Sequence, residues 1–208
     1  MKKPSVGAVA NVALVAAALF VIWNARSARP PHPAVGLPAD WEREMTTGIV
    51  VGPEDAPIQI VELMDFRCPF CREWSARLDS LRVEHPGSVR VSFHHWPLGA
   101  HPDALAAAVA AECADRQGSF VEFSRTVYAE QTLLGQRPWR EFADQAGVPD
   151  LDEFDACAAQ PSEAFPRIQH GIELAGATGA RGTPTVWINN RVMRPRPSLD
   201  ELRAMARR

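Results

Sequence analysis

Apolar and polar residues follow two different periods along this chain, and the changes of period mark the predicted elements. The run Ile58–Met64 is rich in apolar residues, as a buried strand is. The alternation of Val89, Val91 and Phe93 predicts a second strand. Between the two runs, apolar residues recur at helical spacing: Phe70, Trp74, Leu78 and Leu81. A predicted helix therefore begins directly after a predicted strand.

From His101 to Pro161 the pattern becomes a block of short helices. Breaks at Gly118, at 135–138 and at 147–149 separate them. Their apolar stripes are Leu105, Val109 and Cys113; Phe120, Phe123 and Val127; Trp139 and Phe142; and Leu151 and Phe154.

The rest of the chain returns to mixed elements. An apolar stripe predicts a further helix, which ends in a glycine-rich turn: Phe165, Ile168, Ile172 and Ala175. The strand Thr185–Ile188 then forms a hairpin with Arg191–Met193 through Asn189-Asn190. Ser198 is predicted to cap a last helix over residues 199–208.

The N-terminal segment predicts a membrane anchor. Val6 to Trp23 is apolar except for Asn11, and its length lies in the ~17–25 residue range of a spanning helix rather than the ~7–15 of a signal-peptide core. We expect an uncleaved anchor in residues 1–28; a cleaved signal peptide and a buried helix are the alternatives. Lys2 and Lys3 favour a cytoplasmic N-terminus and export of the rest.

A proline-rich stretch separates this segment from the remainder. Residues 29–45 read as a semi-rigid linker, with four prolines between Arg29 and Asp40. Thr46–Val51 is predicted to be a short first strand. The folded domain is therefore expected over residues 46–208.

Charge and compartment narrow the function classes. The formal net charge is −3, and after residue 29 the chain has 18 basic against 25 acidic residues. This balance gives no support to a nucleic-acid partner. Export would place the four cysteines in an oxidising compartment, where disulfides persist.

Cys68-Pro69-Phe70-Cys71 lies at the predicted start of the first helix. Free backbone N–H groups and the helix dipole stabilise a thiolate there, and thiols so placed have pKa values lowered from ~8.5 to roughly 3.5–7.5. Pro69 suits the first helical turn. A CxxC pair by itself is also half of a zinc site, so its neighbours must decide.

Two separated motifs resemble the DsbA-like branch of the thioredoxin-fold oxidoreductases. They are Val61–Phe66 followed by the CxxC pair, and Gly182–Val186 far downstream. The resemblance runs from about Gly48 to Leu202. It implies an α/β thioredoxin fold with an all-helical insertion at about 101–161, and thiol:disulfide exchange without a cofactor.

The resemblance also implies roles for single residues. Cys68 is expected to be the nucleophile and the exposed member of the pair, and Cys71 the resolving thiol. Glu62 matches a buried acid that relays a proton to the second cysteine; an ordinary solvent-facing strand acid is the alternative. Asp65 is expected in the exposed loop. Thr183-Pro184 matches the cis-proline loop opposite the CxxC, where Thr183 and Pro184 bind an extended substrate.

The second cysteine pair is expected to be structural. Cys113 lies on an apolar stripe, and Cys157 follows Leu151 and Phe154 in a separate helix. We expect a Cys113–Cys157 disulfide, contributing ~3–4 kcal/mol by limiting the unfolded chain. Two buried free thiols are the alternative.

No metal site is predicted. His94 and His95 are neighbours on a strand, so their side chains point to opposite faces and do not readily share one ion. A zinc-binding module built on Cys68 and Cys71 remains a non-enzymatic alternative, although the other cysteines and histidines lack a second ligand-type spacing.

The expected function is an exported, membrane-tethered oxidase of protein thiols. Its partners would be cysteine-containing client proteins and a membrane redox partner that reoxidises Cys68-Cys71. An extracytoplasmic reductase or isomerase, for example in cytochrome c maturation, is the alternative. Pro69-Phe70 departs from the Pro-His dipeptide of the strongest oxidases, which predicts an intermediate redox potential.

Overall fold

A computed structural model describes Phe20 and residues 34–207 of the chain. The fold lies in the compact unit Val35–Arg208. Its elements in chain order are α1 (Trp41–Thr47), β1 (Ile49–Val51), β2 (Ile58–Met64), α2 (Pro69–Glu84), β3 (Val89–His95), α3 (Ala104–Arg116), α4 (Phe120–Ala129), a 3₁₀ turn (Gln131–Leu133), α5 (Trp139–Gln145), α6 (Leu151–Ala158), a second 3₁₀ turn (Ser162–Ala164), α7 (Pro166–Thr178), β4 (Thr185–Ile188), β5 (Arg191–Val192) and α8 (Leu199–Ala206).

The strands form one sheet in the order β1-β3-β2-β4-β5. β2 and β3 are parallel, and every other neighbouring pair is antiparallel. On the central strand β2, Glu62 lies opposite Phe93 of β3 and Val186 of β4. The mixed α/β sheet with flanking helices agrees with the expected thioredoxin-like fold.

Alternation along the strands divides the interior into two cores. Ile60 and Met64 of β2 pack with α2 and with the helices between β3 and α7. Val61 and Leu63 point the other way and pack with residues from α1, α7 and β4. Successive side chains of a strand face opposite sides, so one short strand supplies both cores.

The helices α3 to α6 occupy the predicted all-helical region. The breaks at Gly118, Gly135 and Gly147 all have positive φ values, which suit glycine. Leu105, predicted on the buried stripe of α3, is instead exposed. The buried side of α3 is composed largely of alanines, which allow neighbouring helices to approach closely: Ala104, Ala107, Ala108, Ala110, Ala111 and Ala114.

The predicted linker ends earlier than expected. Residues 41–45 were assigned to it, but they begin α1, whose first turn is capped by Asp40 Oδ1 accepting from Arg43 N at 3.0 Å. Before the helix, Gly36 N donates to Thr178 O at 2.8 Å, and Trp187 Nε1 donates to Gly36 O at 2.9 Å. The assignment of residues 35–45 to a spacer was therefore wrong, because these contacts attach the stretch to the domain. The predicted strand at Thr46–Val51 begins only at Ile49.

The predicted anchor, residues 1–28, lies outside the described residues apart from Phe20. Within the part of the chain that is described, no helix combines the length and the apolar character that a bilayer crossing requires.

Candidate active site

Cys68 is the N-cap residue of α2, directly after the loop that follows β2. Pro69 occupies the first helical turn, and the backbone N–H groups of Cys71 and Arg72 donate to the Cys68 carbonyl at 3.1 and 3.3 Å. The strand, the loop and the helix start thus fix the sulfur at the edge of the sheet.

The pKa of Cys68 is lowered from 9.0 to about 5. The main cause is a hydrogen bond from the Cys71 thiol, and the Thr183 side chain and the backbone N–H groups of Cys71 and Phe70 lower it further, while burial opposes them. Cys68 is therefore a thiolate near neutral pH, which is the form that attacks disulfides.

Cys71 lies one turn deeper and is shifted in the opposite direction. Burial, with the Cys68 hydrogen bond and the nearby Glu62, raises the pKa of Cys71 well above 9.0. Both cysteines are free thiols in the structure. Cys68 was expected to be exposed, yet it retains only 4% of its surface, because the Thr183 loop covers it.

Glu62 is a buried acid, as the resemblance implied. It lies on the face of β2 that also bears Ile60 and Met64. Its Oε2 accepts from Trp74 Nε1 at 3.1 Å. Burial raises the pKa of Glu62 to about 8, although the Trp74 bond and the charges of Arg82 and Arg196 partly oppose it. The carboxyl group is therefore protonated at neutral pH and carries a proton beside the two thiols.

The Thr183-Pro184 loop lies against Cys68, and its peptide bond is cis. When Cys68 carries its proton, the thiol donates to Thr183 O at 3.1 Å. The Thr183 hydroxyl is buried without a hydrogen-bond partner, so it is free to turn towards a sulfur that has lost its proton. Two segments distant in sequence thus meet at one sulfur atom.

Asp65 was expected in an exposed loop, and this was wrong. Its carboxylate is buried and accepts from Arg67 N at 2.7 Å, Leu98 N at 2.9 Å and His101 Nδ1 at 2.7 Å. These bonds compensate the loss of water around the charge. Asp65 therefore joins the loop before Cys68 to the loop after β3.

Two further residues at the site carried no sequence signal. Gln131 Nε2 donates to Phe66 O at 2.7 Å and to Cys68 O at 3.0 Å, so the helical region supports the loop that bears Cys68. The Arg196 guanidinium lies 5.9 Å from the centre of the Phe70 ring, and Phe70 is 54% exposed. Both depend on long-range packing, which local periodicity does not report.

The second cysteine pair is a disulfide between α3 and α6. The Cys113 and Cys157 sulfurs are 1.99 Å apart, with a Cα–Cα distance of 5.8 Å and 44 residues between them in sequence. The structure contains the pairing that the sequence favoured over free thiols, and it lies within the helical region rather than at the CxxC.

Potential metal ligands gather away from the cysteines. Among the described residues, the group of three or more that could hold an ion is Glu44, His94 and His170. A zinc module built on Cys68 and Cys71 would need two ligands beside them, and this group does not supply them.

A comparison with protein families identifies the fold. The family model described as thioredoxin matches residues 44–206. The chain belongs to the thioredoxin family. The match includes the Cys68 helix, the Thr183-Pro184 loop and the helices between them.

Several solved structures share the fold of this thioredoxin-family chain. Oxidised BdbD from Bacillus subtilis matches 85% of this chain and 97% of its own, with a TM-score of 0.68 and 20% identity. A thioredoxin-like oxidoreductase from Silicibacter pomeroyi gives 0.65 and 22% identity, covering 81% of this chain and 96% of its own. The thiol-disulfide exchange protein α-DsbA2 from Wolbachia pipientis has a TM-score of 0.65 and 17% identity, and the match covers 80% of this chain and 90% of its own.

The curated relatives of this thioredoxin-family chain are named as Na⁺/H⁺ antiporters. A Na⁺/H⁺ antiporter NhaA 1 from Mycolicibacterium gilvum is 34% identical over 168 residues, which cover 78% of this chain and 26% of the antiporter. An antiporter NhaA 3 from Salinispora tropica is 35% identical, covering 74% and 23%. The chain thus spans about a quarter of the length of these relatives.

Proposed function

We propose that this chain is a thiol:disulfide oxidoreductase that introduces disulfides into exported proteins. The observation that carries the proposal is the opposite displacement of two thiols one helical turn apart: the pKa of Cys68 is lowered to about 5 and that of Cys71 is raised. The Cys68 sulfur is suited to form mixed disulfides and to act as their leaving group, and Cys71 is held as a thiol.

In the proposed reaction the Cys68–Cys71 disulfide is the oxidant. A client thiolate attacks Cys68, and Cys71 leaves as a thiolate that takes up a proton. A second client thiolate then attacks the client sulfur of the mixed disulfide, and Cys68 leaves as a stabilised thiolate. The client gains one disulfide, and the enzyme gains two electrons and one proton.

Glu62 and Thr183 assist these steps in the proposal. Glu62 is protonated at neutral pH and couples electrostatically to Cys71, so it is the proton donor for the departing Cys71 sulfur. The backbone of Thr183 lies against Cys68 Sγ, where a client strand bound to the loop would bring its own sulfur. We assign substrate binding to Thr183 and Pro184 on this contact.

The acidity of Cys68 favours the oxidising direction. A thiolate stabilised in the reduced protein makes its disulfide a stronger oxidant, and a pKa of about 5 lies between thioredoxin at ~7 and DsbA at ~3.5. We expect a redox potential between their values of ~−270 and ~−120 mV. The reductase or isomerase alternative keeps one supporting observation: Phe70 replaces the histidine that strengthens the best oxidases.

Location and partners complete the proposal. Residues 1–28 would anchor the chain in the cell membrane, with the catalytic domain on the extracytoplasmic side. A membrane redox partner would then reoxidise Cys68 and Cys71, and cysteine-containing proteins would be the clients. Ion transport does not follow from the antiporter relatives, since the chain matches about a quarter of their length.

Redox equilibrium with glutathione tests the direction. We expect the Cys68–Cys71 couple to have a potential well above that of thioredoxin. A value near or below thioredoxin's would reject the oxidase and leave the reductase.

Covalent trapping tests the exchange reaction itself. A Cys71→Ala variant expressed in cells should accumulate mixed disulfides through Cys68, and a Cys68→Ser, Cys71→Ala variant is the matched control. Cysteine-rich exported clients would support oxidative folding, whereas recovery mainly of cytochrome apoproteins would favour the reductase. No Cys68-dependent adduct would contradict both.

A further inference from the structure

Three ionisable side chains from separate elements meet on the face of the sheet opposite to Glu62. Glu44 comes from α1, His94 from β3 and His170 from α7. Glu44 Oε2 lies 2.6 Å from His170 Nε2 and 3.8 Å from His94 Nδ1. One ligand-type atom from each residue lies within 4.8 Å of the other two.

Close packing of α7 against β3 brings the two histidines together. A Cβ atom at Gly171 would lie 2.1 Å from His95 O, so only glycine allows the helix to approach the strand this closely. The rings of His94 and His170 are consequently 5.6 Å apart. Glu44 is buried in the first turn of α1.

The orientation of His94 shows what the cluster is suited to bind. Its Nε2 lies 2.9 Å from the Glu44 carbonyl oxygen, which only accepts, so Nε2 carries the ring proton. Nδ1 then presents a lone pair towards Glu44 and His170. This nitrogen has no hydrogen-bond partner, although His94 is only 1% exposed.

A buried ring nitrogen without a partner is costly unless something binds it. Metal-binding histidines commonly have this arrangement, with one nitrogen donating to a backbone carbonyl and the other on the ion. The hydrogen bond to the Glu44 carbonyl therefore already fixes the ring and its tautomer for coordination.

We propose that Glu44, His94 and His170 bind one divalent transition-metal ion of the zinc type through Oε2, Nδ1 and Nε2 respectively. Two imidazoles and one carboxylate form a donor set that zinc accepts, whereas calcium and magnesium prefer oxygen ligands alone. On binding, the ion takes the place of the hydrogen bond between His170 Nε2 and Glu44 Oε2, and the neutral His170 ring carries its proton on Nδ1 instead.

The surroundings provide access and a place for a fourth ligand. The His170 side chain is 20% exposed, which gives the ion a route from solvent. Thr47 Oγ1 lies 3.3 Å from both His170 Nε2 and Glu44 Oε2, within reach of a water on the open position. The ion would link α1, β3 and α7 from the side of the sheet away from Cys68, so we assign it a structural role.

Cobalt uptake tests the site. The full-length chain, without a histidine tag and with Cys68–Cys71 oxidised so that no thiolate binds the ion, is titrated with Co²⁺ and followed by visible absorption. We expect one Co²⁺ per chain, displacement by Zn²⁺ but not by Ca²⁺, and a rise in the melting temperature with Zn²⁺.

His170→Gln is the main variant, because His170 is partly exposed and its replacement is least disruptive to folding. It should weaken Co²⁺ binding by at least about 100-fold, beyond the effect of most outer-shell changes. His85→Gln, at the end of α2, is the matched control and should bind as the wild type does. Absence of stoichiometric uptake by the wild type, or uptake that survives His170→Gln, would overturn the proposal.

Discussion

The two cysteine pairs of this chain are equally buried and chemically different. Cys68 and Cys71 are 4% and 0% exposed, and Cys113 and Cys157 are 1% and 5% exposed. The first pair is a dithiol at a helix N-terminus, and the second is a disulfide between α3 and α6. Burial does not distinguish them, so the polar groups around each sulfur must do so.

Polar groups surround the first pair. Cys68 has backbone N–H groups, the Thr183 loop and a second thiol beside it, and Glu62 lies beneath. The second pair joins an alanine-rich helix to α6. These surroundings fit the exchange that we propose for the first pair, whereas the second pair restricts the chain.

The largest expected effect is loss of exchange in Cys68→Ser. Disulfide transfer to a reduced model protein should fall by more than about 1,000-fold, because serine cannot form the mixed disulfide. The free energy of unfolding of Cys68→Ser, measured with urea, should stay close to that of the reduced wild type. Substantial residual transfer would show that Cys68 is not the attacked sulfur.

The double variant Cys113→Ala, Cys157→Ala should show the converse, a loss of stability without a loss of exchange. Opening a 44-residue loop should lower the free energy of unfolding by about 4 kcal/mol, measured by urea titration. Transfer activity per folded molecule should stay close to the wild-type value. An activity loss matching that of Cys68→Ser would remove the distinction between the pairs.

Glu62→Gln probes the buried carboxyl group beside the first pair. The raised pKa of Glu62 means that its protonated form stabilises the fold fully below pH 4.5, and that this contribution is lost as the pH rises through about 8. The variant should therefore gain stability over the wild type across that range, by at most about 1.4 kcal/mol per pH unit.

The same variant should exchange more slowly, by up to about 100-fold, because glutamine cannot donate the carboxyl proton. Glutamine still accepts from Trp74 Nε1, so the fold is preserved. If the free energies of unfolding of the wild type and of Glu62→Gln changed with pH in the same way, a buried, titrating Glu62 would be contradicted.

The smallest predicted effect is a shift in the pH profile of Cys68 alkylation. The wild-type rate should have its midpoint near pH 5, and Cys71→Ala should move it upward, since the Cys71 hydrogen bond is the main cause of the low pKa. The lowered pKa also stabilises the reduced fold above pH 9, and this contribution is lost as the pH falls to about 5. Identical midpoints would assign the acidity to the helix terminus and Thr183 instead.

Local pattern was sufficient for much of the fold. The apolar run predicted β2 as Ile58–Met64, the bounds that the structure has. Pro69 marked the start of α2, and Ser198 the start of the last helix. These signals depend on residues adjacent in sequence.

Two features that local pattern did not predict depend on contacts between distant residues. The burial of Asp65 depends on Leu98 and His101, which lie in another loop. His94 was compared only with its neighbour His95, whereas Glu44 and His170 approach it through the tertiary fold. No period along the chain records such meetings.

The exposed position of Phe70 has an evolutionary consequence. A substitution there removes no core contact and usually alters stability by less than about 0.5 kcal/mol. In sequence, Phe70 lies two residues after Cys68 and one residue before Cys71. At these cysteines a change of ~30 mV in redox potential corresponds to only 1.4 kcal/mol. Under the proposed function, a lineage can therefore retune the direction of electron flow at this single codon while the scaffold remains intact.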